Sequence, residues 1–397
     1  MYRHFNNKFK KGRNSFNPKG RGVSHARKIK SFDPSMIAAL PQRENKQTEY
    51  VSQNTFSSFE VSDILKKNIA YKGYKIPTPI QDKTIPVILS GKDVIGQANT
   101  GTGKTAAFLI PLIDKVLKDR SQKVIILAPT RELASQICDE FYSLSKGLRI
   151  YAALCIGGAS MNKQRNDLKR EPNFVIGTPG RLEDHIRSKN LNLFEFETVV
   201  LDEADHMVDV GFLETVKRMI LQMSLNRQSL FFSATLGKKV EGILSSFVKD
   251  PVRISTLIGE ITTQVKQEII KIDSQDSKIN ELCKLLTNPE FRKVLIFGRT
   301  KHGVQKLAND LKTKGFRVDA IHGNKRQNQR TKTLENFKRN NLQVLIATDV
   351  ASRGIDVPSV SHVINYDLPE SYEAYIHRIG RTGRAEKQGI AITFVNK

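Results

Sequence analysis

From residue 56 onward, short apolar runs of strand length alternate with longer stretches of helical character. The first series of runs covers residues 93–97, 124–128, 150–155, 174–177, 198–201 and 229–233. After a less patterned stretch at about residues 250–264, a second series covers residues 293–297, 318–321, 344–347, 362–366 and 390–395. Alternation at this spacing is typical of βαβ units, so the pattern predicts two α/β domains with parallel sheets and a hinge near residues 256–263.

The segment that precedes these runs has a different composition. Residues 1–31 are rich in Lys, Arg, Asn and Gly and lack apolar periodicity, which predicts disorder, and residues 34–40 are a candidate short helix before a linker. Phe5, Phe9, Phe16 and Phe32 are interleaved with the cations, a mixture suited to single-stranded nucleic acid because rings stack on bases and cations follow phosphates. The alternative is a solvated tail without a partner.

The chain as a whole is basic, with 64 Lys and Arg against 40 Asp and Glu and a formal net charge of +24. Ten of the basic residues and none of the acids fall in residues 1–32, so the rest of the chain keeps a net charge of +14. A basic surface favours a polyanion because binding releases condensed counterions. An anionic membrane is the rival partner, but no basic amphipathic anchor is visible and no apolar run reaches the roughly 18 residues of a spanning helix.

The cysteines and the N-terminus indicate the compartment. No apolar segment follows Met1, so we expect no secretory signal. Cys138, Cys155 and Cys283 lie far apart, and neither they nor the eight histidines have the spacing of a disulfide framework or a metal site. The sequence therefore predicts reduced thiols in a cytoplasmic protein.

A glycine-rich loop, Ala98-Asn-Thr-Gly-Thr-Gly-Lys-Thr105, follows the first predicted strand and opens a helical run from Thr105. This context is typical of a phosphate-binding loop, in which glycines let backbone N–H groups approach phosphate oxygens, the lysine reaches the β- and γ-phosphates and the last hydroxyl binds Mg²⁺. The first position is Ala rather than the usual Gly, and a chance glycine-rich turn is the alternative. The predicted nucleotide ligands here are Thr100, Gly101, Thr102, Gly103, Lys104 and Thr105.

Acidic residues follow the run at 198–201 as Asp202-Glu203-Ala204-Asp205. Because ligands bind at the carboxyl ends of parallel strands, Asp202 is placed to hold Mg²⁺ and Glu203 to orient and activate the attacking water. A solvated acidic turn is the alternative for an isolated tetrapeptide of this kind. The position after an apolar strand, downstream of a phosphate loop, favours the catalytic interpretation.

Arginines cluster in the second series, in His377-Arg378-Ile-Gly-Arg381-Thr-Gly-Arg384. Arginines held across a cleft can stabilise the charge that phosphoryl transfer spreads over the γ-phosphate, so hydrolysis would depend on domain closure. An arginine-rich surface helix is the alternative.

Together these motifs resemble the DEAD-box branch of the superfamily-2 RNA helicases, from residue 56 to about residue 394. The resemblance implies an α/β fold of two tandem RecA-like domains with parallel sheets, behind a disordered basic N-terminal tail. The implied division is a tail and linker at residues 1–55, a helicase ATP-binding domain at 56–255 and a helicase C-terminal domain at 264–397. The implied activity is RNA-stimulated ATP hydrolysis with ATP and Mg²⁺ as cofactors.

The resemblance also assigns roles outside the two phosphate motifs. Residues 73–81 are similar to the adenine-reading Q motif, in which Gln81 reads the base edge and Phe56 stacks on the ring; an amide has the paired donor and acceptor that select ATP over GTP. Taken alone, that stretch would also fit a proline-rich turn before a helix. The remaining assignments are nucleotide contacts at Gly354 and Asp356, γ-phosphate arginines at Arg381 and Arg384, and coupling residues Ser233, Thr235 and His377.

RNA contacts are implied in both domains. In the first domain they are Pro129, Thr130, Arg131, Gly157, Gly158, Thr178, Gly180 and Arg181, and in the second Thr300, Gly323, Gln327, Arg330 and Thr348. Arginines, hydroxyls and exposed backbone N–H groups suit sugar and phosphate more than base edges, so we expect weak sequence specificity. Contacts to 2′-hydroxyls would favour RNA over DNA.

One residue departs from the family pattern, because Arg299 stands where many members have Asn. Residues 299–303 together with residues 322–325 look most like the bacterial RhlE-type subgroup. Because the last predicted strand lies close to the final residue, we expect no C-terminal RNA-binding domain.

The implied mechanism is local, non-processive opening of short RNA duplexes or remodelling of RNA–protein complexes, by a monomer with ribosomal or RNA-decay complexes as candidate partners. Three alternatives remain at this point. They are a translocating motor of the same superfamily, an RNA clamp or annealing chaperone with incidental hydrolysis, and a small-molecule ATPase or kinase. Accepting GTP in place of ATP would favour the first, and activity that survives Glu203→Gln would favour the second.

Overall fold

The structure is a computed structural model, and it describes residues 50–99, 101–237, 240–242, 247–256, 265–352, 357, 360–383 and 389–397. The predicted basic tail, the candidate helix at 34–40 and all but the first residue of the predicted hinge lie outside these residues. None of the helices in the described ranges is both long and apolar enough to cross a membrane.

The first half of the described chain builds a seven-stranded sheet in the order β3-β4-β2-β5-β6-β1-β7. All of its neighbouring strands pair in parallel. In chain order its elements are α1 Asp63–Tyr71, α2 Pro79–Leu89, β1 Val94–Gln97, α3 Lys104–Lys118, β2 Val124–Leu127, α4 Arg131–Leu144, β3 Ala152–Cys155, α5 Met161–Leu168, β4 Phe174–Gly177, α6 Pro179–Arg187, a 3₁₀ turn Leu193–Glu195, β5 Thr198–Asp202, α7 Ala204–Asp209, α8 Leu213–Ile220, β6 Gln228–Ser233 and β7 Val252–Ser255.

The second half builds a six-stranded sheet in the order β10-β11-β9-β12-β13-β8, again with parallel pairing throughout. Its elements are β8 Val265–Ile272, α9 Gln275–Thr287, β9 Val294–Phe297, α10 Lys301–Thr313, β10 Val318–Ile321, α11 Gln327–Lys338, β11 Val344–Ala347, α12 Asp349–Ser352, β12 His362–Asn365, α13 Tyr372–Ile379 and β13 Gly389–Asn396. The predicted α/β class with two parallel sheets is confirmed.

Uninterrupted apolar runs form these strands because helices cover both faces of each sheet. Successive side chains of a strand point to opposite faces. In β2, Val124 and Ile126 therefore join one apolar cluster, whereas Ile125 and Leu127 join the other. All four are buried, so this strand needs apolar residues at every position rather than at alternate ones.

Two strands escaped the pattern, and both lie at the edge of a sheet. β7 pairs with β1 inside the stretch that looked unpatterned, and only Ile254 of its four residues is buried. β8 pairs with β13 and buries only its end residues, Val265 and Ile272. An edge strand has one neighbour and less cover, so it carries a weaker apolar signal than a central strand.

The strand order divides the carboxyl edge of the first sheet into two halves. The segments that follow β1, β5 and β6, which are neighbours, carry the glycine-rich loop, Glu203 and Thr235. The segments that follow β3, β4 and β2 carry Gly157, Thr178 and the Pro129–Arg131 stretch. Residues predicted to bind nucleotide and residues predicted to bind RNA are thus sorted onto adjoining halves of one edge.

The second sheet has the same kind of division. Thr300, Gly323 and Thr348 follow β9, β10 and β11, which are neighbours at one side of the sheet. The arginine motif begins in α13, between β12 and β13 on the other side. Each domain therefore offers a predicted RNA side and a predicted nucleotide side.

Candidate nucleotide and RNA sites

The glycine-rich loop connects β1 to α3, which begins at Lys104, one residue before the predicted start. Gly101 and Gly103 have φ angles of 83° and 87°, a region that glycine enters without strain. Lys104 is buried, and its ammonium donates a 2.8 Å hydrogen bond to the carbonyl of Ala98. Backbone N–H groups at the start of a long helix, beside a buried ammonium, make this loop suited to phosphate.

The Q-motif helix α2 is bonded directly to that loop. The Gln81 amide donates to the Gly103 carbonyl at 3.1 Å, and its oxygen accepts from the Thr78 backbone N–H at 2.9 Å. The Thr78 hydroxyl donates to the Thr102 carbonyl at 2.7 Å. A Cβ at Gly103 would collide with the Gln81 amide, so the close approach requires glycine at this position.

Phe56, the predicted adenine-stacking ring, lies beside the same helix. Its ring stacks on that of Tyr74 with centroids 5.7 Å apart, and it meets Phe59 edge-on at 5.9 Å. Phe56 is only 6% exposed and shares an apolar cluster with Ile80 of α2. The fold thus brings Phe56 and Gln81 to the same helix, although they are distant in sequence.

Asp202 ends β5 and is 2% exposed. Burial raises the pKa of Asp202 to about 7, against the charge of Lys104, and the neighbouring charges of Glu203 and Asp205 add to the rise. A buried carboxylate beside two other acids favours a bound cation. Carboxylate and hydroxyl oxygens are hard donors, so Asp202 with Thr105 of α3 fits Mg²⁺.

Glu203 has a positive φ of 52° and immediately precedes the short helix α7. Burial alone would raise the pKa of Glu203, but the interaction with His206 and the charges of Arg381 and Lys104 outweigh it and lower the pKa to about 2. The His206 ring nitrogen Nδ1 lies 3.6 Å from Glu203 Oε2. Glu203 is therefore an ionised carboxylate, and an arginine of the second domain contributes to that state.

Asp205 organises the segment after β6, a role that the sequence reasoning did not give it. One oxygen, Oδ2, accepts from the backbone N–H groups of Ala234 and Thr235 at 3.2 and 2.9 Å and from the Thr235 hydroxyl at 2.9 Å. The Ser233 hydroxyl donates to the Thr235 carbonyl at 2.6 Å. The acidic loop and the predicted coupling residues are thus joined by hydrogen bonds. The only hint of this role in the sequence was that Asp205 is the fourth residue of the acidic motif.

The arginine motif contains residues with two different environments. Arg378 is buried and forms a bidentate pair with Asp349 at 2.6 and 2.7 Å, while Nη1 donates to the Asp367 carbonyl at 2.6 Å. These bonds hold α13 against its own sheet. Arg381 is 5% exposed, donates to the His377 carbonyl at 3.3 Å, and lies close enough to Glu203 for its charge to lower that pKa.

On the predicted RNA side of the first domain, Arg131 lies across two glycines. A Cβ at Gly158 would approach Arg131 Nη1 to 2.6 Å, and one at Gly157 would approach Nη2 to 3.0 Å. Burial and the charges of Arg330 and Arg181 lower the pKa of Arg131. The fold therefore gathers three arginines around exposed glycine backbone, a concentration of positive charge that suits a phosphate chain.

The threonines on this side serve the helices that follow them. The Thr130 hydroxyl accepts from the Leu133 N–H at 3.2 Å and caps α4, and the Thr300 hydroxyl accepts from the Gly303 N–H at 3.0 Å and caps α10. Thr178 precedes α6 and is buried, as is Pro129, while Gly180 and Arg181 are half-buried. In the second domain Gly323 is exposed and Thr348 half-buried.

The two domains bond to each other on the predicted RNA side. Glu132, 5% exposed, accepts from Arg330 Nε at 2.8 Å and from Gln327 Nε2 at 3.1 Å. The sequence predicted Gln327 and Arg330 as RNA contacts and placed Glu132 beside the predicted contact Arg131, in a segment expected to touch RNA. The structure gives Gln327 and Arg330 an interdomain bond as well.

Four predicted nucleotide residues, Thr100, Gly354, Asp356 and Arg384, lie outside the described residues. The structure describes the remaining predicted nucleotide residues.

Family comparisons agree with this architecture. Residues 78–243 match the DEAD/DEAH box helicase family and residues 277–386 match the helicase conserved C-terminal domain. The chain is 43% identical over 342 residues to the DEAD-box ATP-dependent RNA helicase CshA of Bacillus cereus, covering 86% of this chain and 65% of that protein. It is 42% identical over 341 residues to the ATP-dependent RNA helicase CshA of Limosilactobacillus reuteri, covering 86% of this chain and 69% of that one.

Solved structures show the same fold. Dbp5 of S. cerevisiae bound to RNA and ADP BeF3 superposes with a TM-score of 0.78 at 31% identity, over 86% of this chain and 90% of that one. Mss116p bound to ssRNA and AMP-PNP superposes with a TM-score of 0.79 at 31% identity, over 90% of this chain and 77% of that one.

The chain therefore belongs to the family of DEAD-box ATP-dependent RNA helicases, as its motifs predicted, and its two sheets are tandem RecA-like domains. Both curated relatives carry the CshA name, so the similarity to the RhlE-type subgroup stays a prediction. The chain spans about two thirds of the length of these relatives.

Proposed function

We propose that this chain is an RNA-stimulated ATPase that opens short RNA duplexes locally, or remodels RNA–protein complexes, without processive translocation. The observation that carries the proposal is that the two domains meet beside both candidate sites: Arg330 and Gln327 donate to Glu132, and the charge of Arg381 reaches Glu203. We assign residues 56–255 to the ATP-binding domain and residues 264–397 to the C-terminal domain.

The nucleotide side has the groups that phosphoryl transfer needs. We assign the Lys104 ammonium and the loop backbone to the phosphates, Gln81 and Phe56 to the adenine, and Thr105 with Asp202 to Mg²⁺, which would neutralise charge on the phosphate oxygens. Glu203 orients the attacking water through its ionised carboxylate. Arg381 stabilises the charge that develops on the γ-phosphate, and the predicted Arg384, Gly354 and Asp356 complete the set.

The RNA side supports the choice of substrate. Arg131, Arg181 and Arg330 lie together beside exposed glycine backbone, and the bond from Arg330 to Glu132 joins the two halves of this surface. Dbp5 and Mss116p were both solved with RNA, and their folds match this chain across both domains. We therefore propose single-stranded RNA, gripped through sugar and phosphate with little base readout, as the ligand of this surface.

RNA binding is coupled to ATP hydrolysis because the RNA side and the nucleotide side are both completed when the two domains close. RNA that binds across both domains favours the closed state, and closure brings Arg381 to Glu203 on the nucleotide side. The Asp205 bonds to Ala234 and Thr235 connect the acidic loop to the segment after β6, so that segment moves with the catalytic carboxylates. Phosphate release would then let the domains separate and free the strand.

The test is the ATPase rate with and without single-stranded RNA at fixed low salt, paired with unwinding of a short and a several-fold longer duplex. We expect strong stimulation by RNA and efficient unwinding of the short duplex only. A rate indifferent to RNA would contradict the coupling, and equal unwinding of both duplexes would favour a translocating motor. Mg²⁺ dependence, a monomeric state, a cytoplasmic location and ribosomal or RNA-decay partners remain predictions from the sequence.

A further inference from the structure

The carboxylate of Asp82, the residue after Gln81, is the centre of a compact hydrogen-bonded cluster. It accepts from the Tyr50 hydroxyl at 2.6 Å, from the Gln53 backbone N–H at 2.8 Å, and from the backbone and side-chain N–H groups of Asn54 at 3.1 and 2.8 Å. Asp82 is 3% exposed. All of these donors belong to residues 50–54, here called the leading segment.

Gln81 and Asp82 point in different directions from one helical turn. Consecutive side chains on a helix diverge by about 100°, since a turn takes about 3.6 residues. Gln81 accordingly faces the glycine-rich loop, where it bonds to Gly103, while Asp82 faces the leading segment. The first turn of α2 therefore holds two separate parts of the chain in a fixed relation.

The bonds to Asp82 are of the strong, charge-assisted kind. Burial alone would raise the pKa of Asp82, but the bonds from Tyr50, Gln53 and Asn54 outweigh it and lower the pKa. Burial, together with the bond to Asp82, raises the pKa of Tyr50 to about 12. Around neutral pH the cluster is thus an ionised carboxylate surrounded by donors.

Phe56 follows the leading segment after a single intervening residue. The turn from Thr55 to Ser58, closed by a 3.1 Å bond from the Ser58 N–H to the Thr55 carbonyl, carries its ring toward Tyr74. Such a short connection leaves the ring little freedom once Asn54 is held. The position of Phe56 relative to Gln81 is therefore set partly by Asp82.

We propose that Asp82 is a positioning residue for adenine recognition, holding the leading segment so that Phe56 and Gln81 address the same base. This rests on the proposed function, in which those two residues contact the adenine. Asp82 acts through its bonds to the leading segment and is not assigned to the base or to the phosphates. Its loss should weaken binding of the base and spare binding of the phosphates.

The experiment compares ATP with inorganic tripolyphosphate, which can occupy the phosphate loop but has no base. For full-length Asp82→Asn we expect an ATP Kd raised about 10-fold and a tripolyphosphate Kd within about 2-fold of wild type. At saturating ATP and RNA, kcat should change little. When ATP is varied at saturating RNA, the KM for ATP should rise. Tyr50→Phe, which removes one donor and keeps the carboxylate, should show the same selectivity with a smaller loss.

A matched control is Asp119→Asn, since Asp119 is an exposed acid that accepts only local bonds from Ser121 and Gln122 in the part of the chain described. It should leave both affinities unchanged. Adding Asp82→Asn to Phe56→Ala should cause no further loss of ATP affinity, because Asp82 acts through the Phe56 ring.

Two results would overturn the proposal. Equal loss of ATP and tripolyphosphate would mean that Asp82 supports the loop as a whole, and no loss of either would mean that the leading segment does not position Phe56. The adenine assignment fails separately if Phe56→Ala and Gln81→Ala both bind ATP like the wild type. In that case the positioning role of Asp82 fails as well. If those two variants weaken ATP binding while Asp82→Asn and Tyr50→Phe both leave it unchanged, only the positioning role of Asp82 is wrong.

Discussion

Two carboxylates of the first domain face arginines of the second, and they do so in different ways. Glu132, on the proposed RNA side, is buried and accepts direct hydrogen bonds from Arg330 and Gln327. Glu203, on the nucleotide side, interacts with Arg381 through its charge and has an uncommon positive φ. The first arrangement fixes the two domains in register, whereas the second gives the carboxylate a strained position beside the phosphate site.

The difference indicates what each residue can do. A buried ion pair with good hydrogen bonds holds a structure in place, and removing one partner leaves an uncompensated charge. Strain of the backbone tends to persist where function requires it. Under the proposed function, Glu132 would respond to the closure of the domains and Glu203 would use that closure in ATP hydrolysis.

The largest effect should come from removing the arginine on the nucleotide side. We expect Arg381→Ala to lower RNA-stimulated kcat by about 10³-fold, since arginines that stabilise phosphoryl transfer are worth roughly 10³ to 10⁵ in rate. Steady-state ATPase with saturating RNA and ATP measures this. Arg292→Ala, at an exposed position of the same domain, is the control. A loss below about 10-fold would remove Arg381 from the reaction.

The next effect concerns the carboxylate itself. Glu203→Gln should lower kcat by about 10²-fold or more, because a neutral amide cannot activate water, while the affinity for ATP is kept. Single-turnover hydrolysis and nucleotide binding, measured side by side, separate the two quantities. Since the folded-state pKa of Glu203 is about 2, its ionisation should not limit the rate from pH 5 to 8. Retention of the wild-type hydrolysis rate would remove Glu203 from the reaction, whereas RNA annealing that survives the loss of hydrolysis would support the clamp or chaperone alternative.

A smaller effect is expected from the interdomain bond on the RNA side. Glu132→Gln should raise the RNA concentration for half-maximal ATPase stimulation by about 10-fold, because the closed state loses a charge-assisted bond, with little change in ATP affinity without RNA. Arg330→Gln alone and both changes together complete a double-mutant cycle. Strictly additive losses would show that Glu132 and Arg330 act independently, contrary to the structure.

The smallest effect on activity should come from an acid that only supports the fold. Asp319 accepts bonds from Lys325 at 2.7 Å and Thr333 at 2.6 Å. Burial would raise its pKa, but those bonds outweigh burial and lower it to about 2. The lowered pKa stabilises the fold above the unfolded value near 4, by about 2 kcal/mol, and this contribution fades as pH falls toward 2.

Asp319→Asn should therefore lower the free energy of unfolding by about 2 kcal/mol at pH 7 and by about half as much at pH 3, with kcat nearly unchanged. Urea unfolding at the two pH values measures it. A destabilisation that is equal at both pH values would mean that the ionised form of Asp319 does not contribute.

Strand positions were predictable where the sheet is deepest. The central strands β2 and β11 read as unbroken apolar runs because both of their faces are covered, and the structure places them within one residue of the predicted bounds. The edge strands β7 and β8 were missed because partial exposure dilutes their apolar pattern. Burial, rather than intrinsic β-propensity, separates the two cases.

The candidate site shows a similar contrast. Local motifs gave the phosphate loop and the acidic loop because each is a short run of backbone whose neighbours in sequence are also neighbours in space. Asp205, Glu132 and Asp82 gained their roles from partners distant in the chain, with Glu132 bonding to a residue 198 positions away. Nothing in a single sequence ties such partners together.

The sequence by itself determined the family and the two-sheet α/β class, and it predicted the phosphate-binding and acidic loops, since these depend on periodicity and on contiguous residues. Tertiary structure decided how the loops are grouped, because the strand order places β1, β5 and β6 side by side and β3, β4 and β2 beside them. It also decided that Glu132 bonds across the domains while Asp82 bonds within one. Those choices depend on packing geometry, which fixes the distance between side chains that are far apart along the chain.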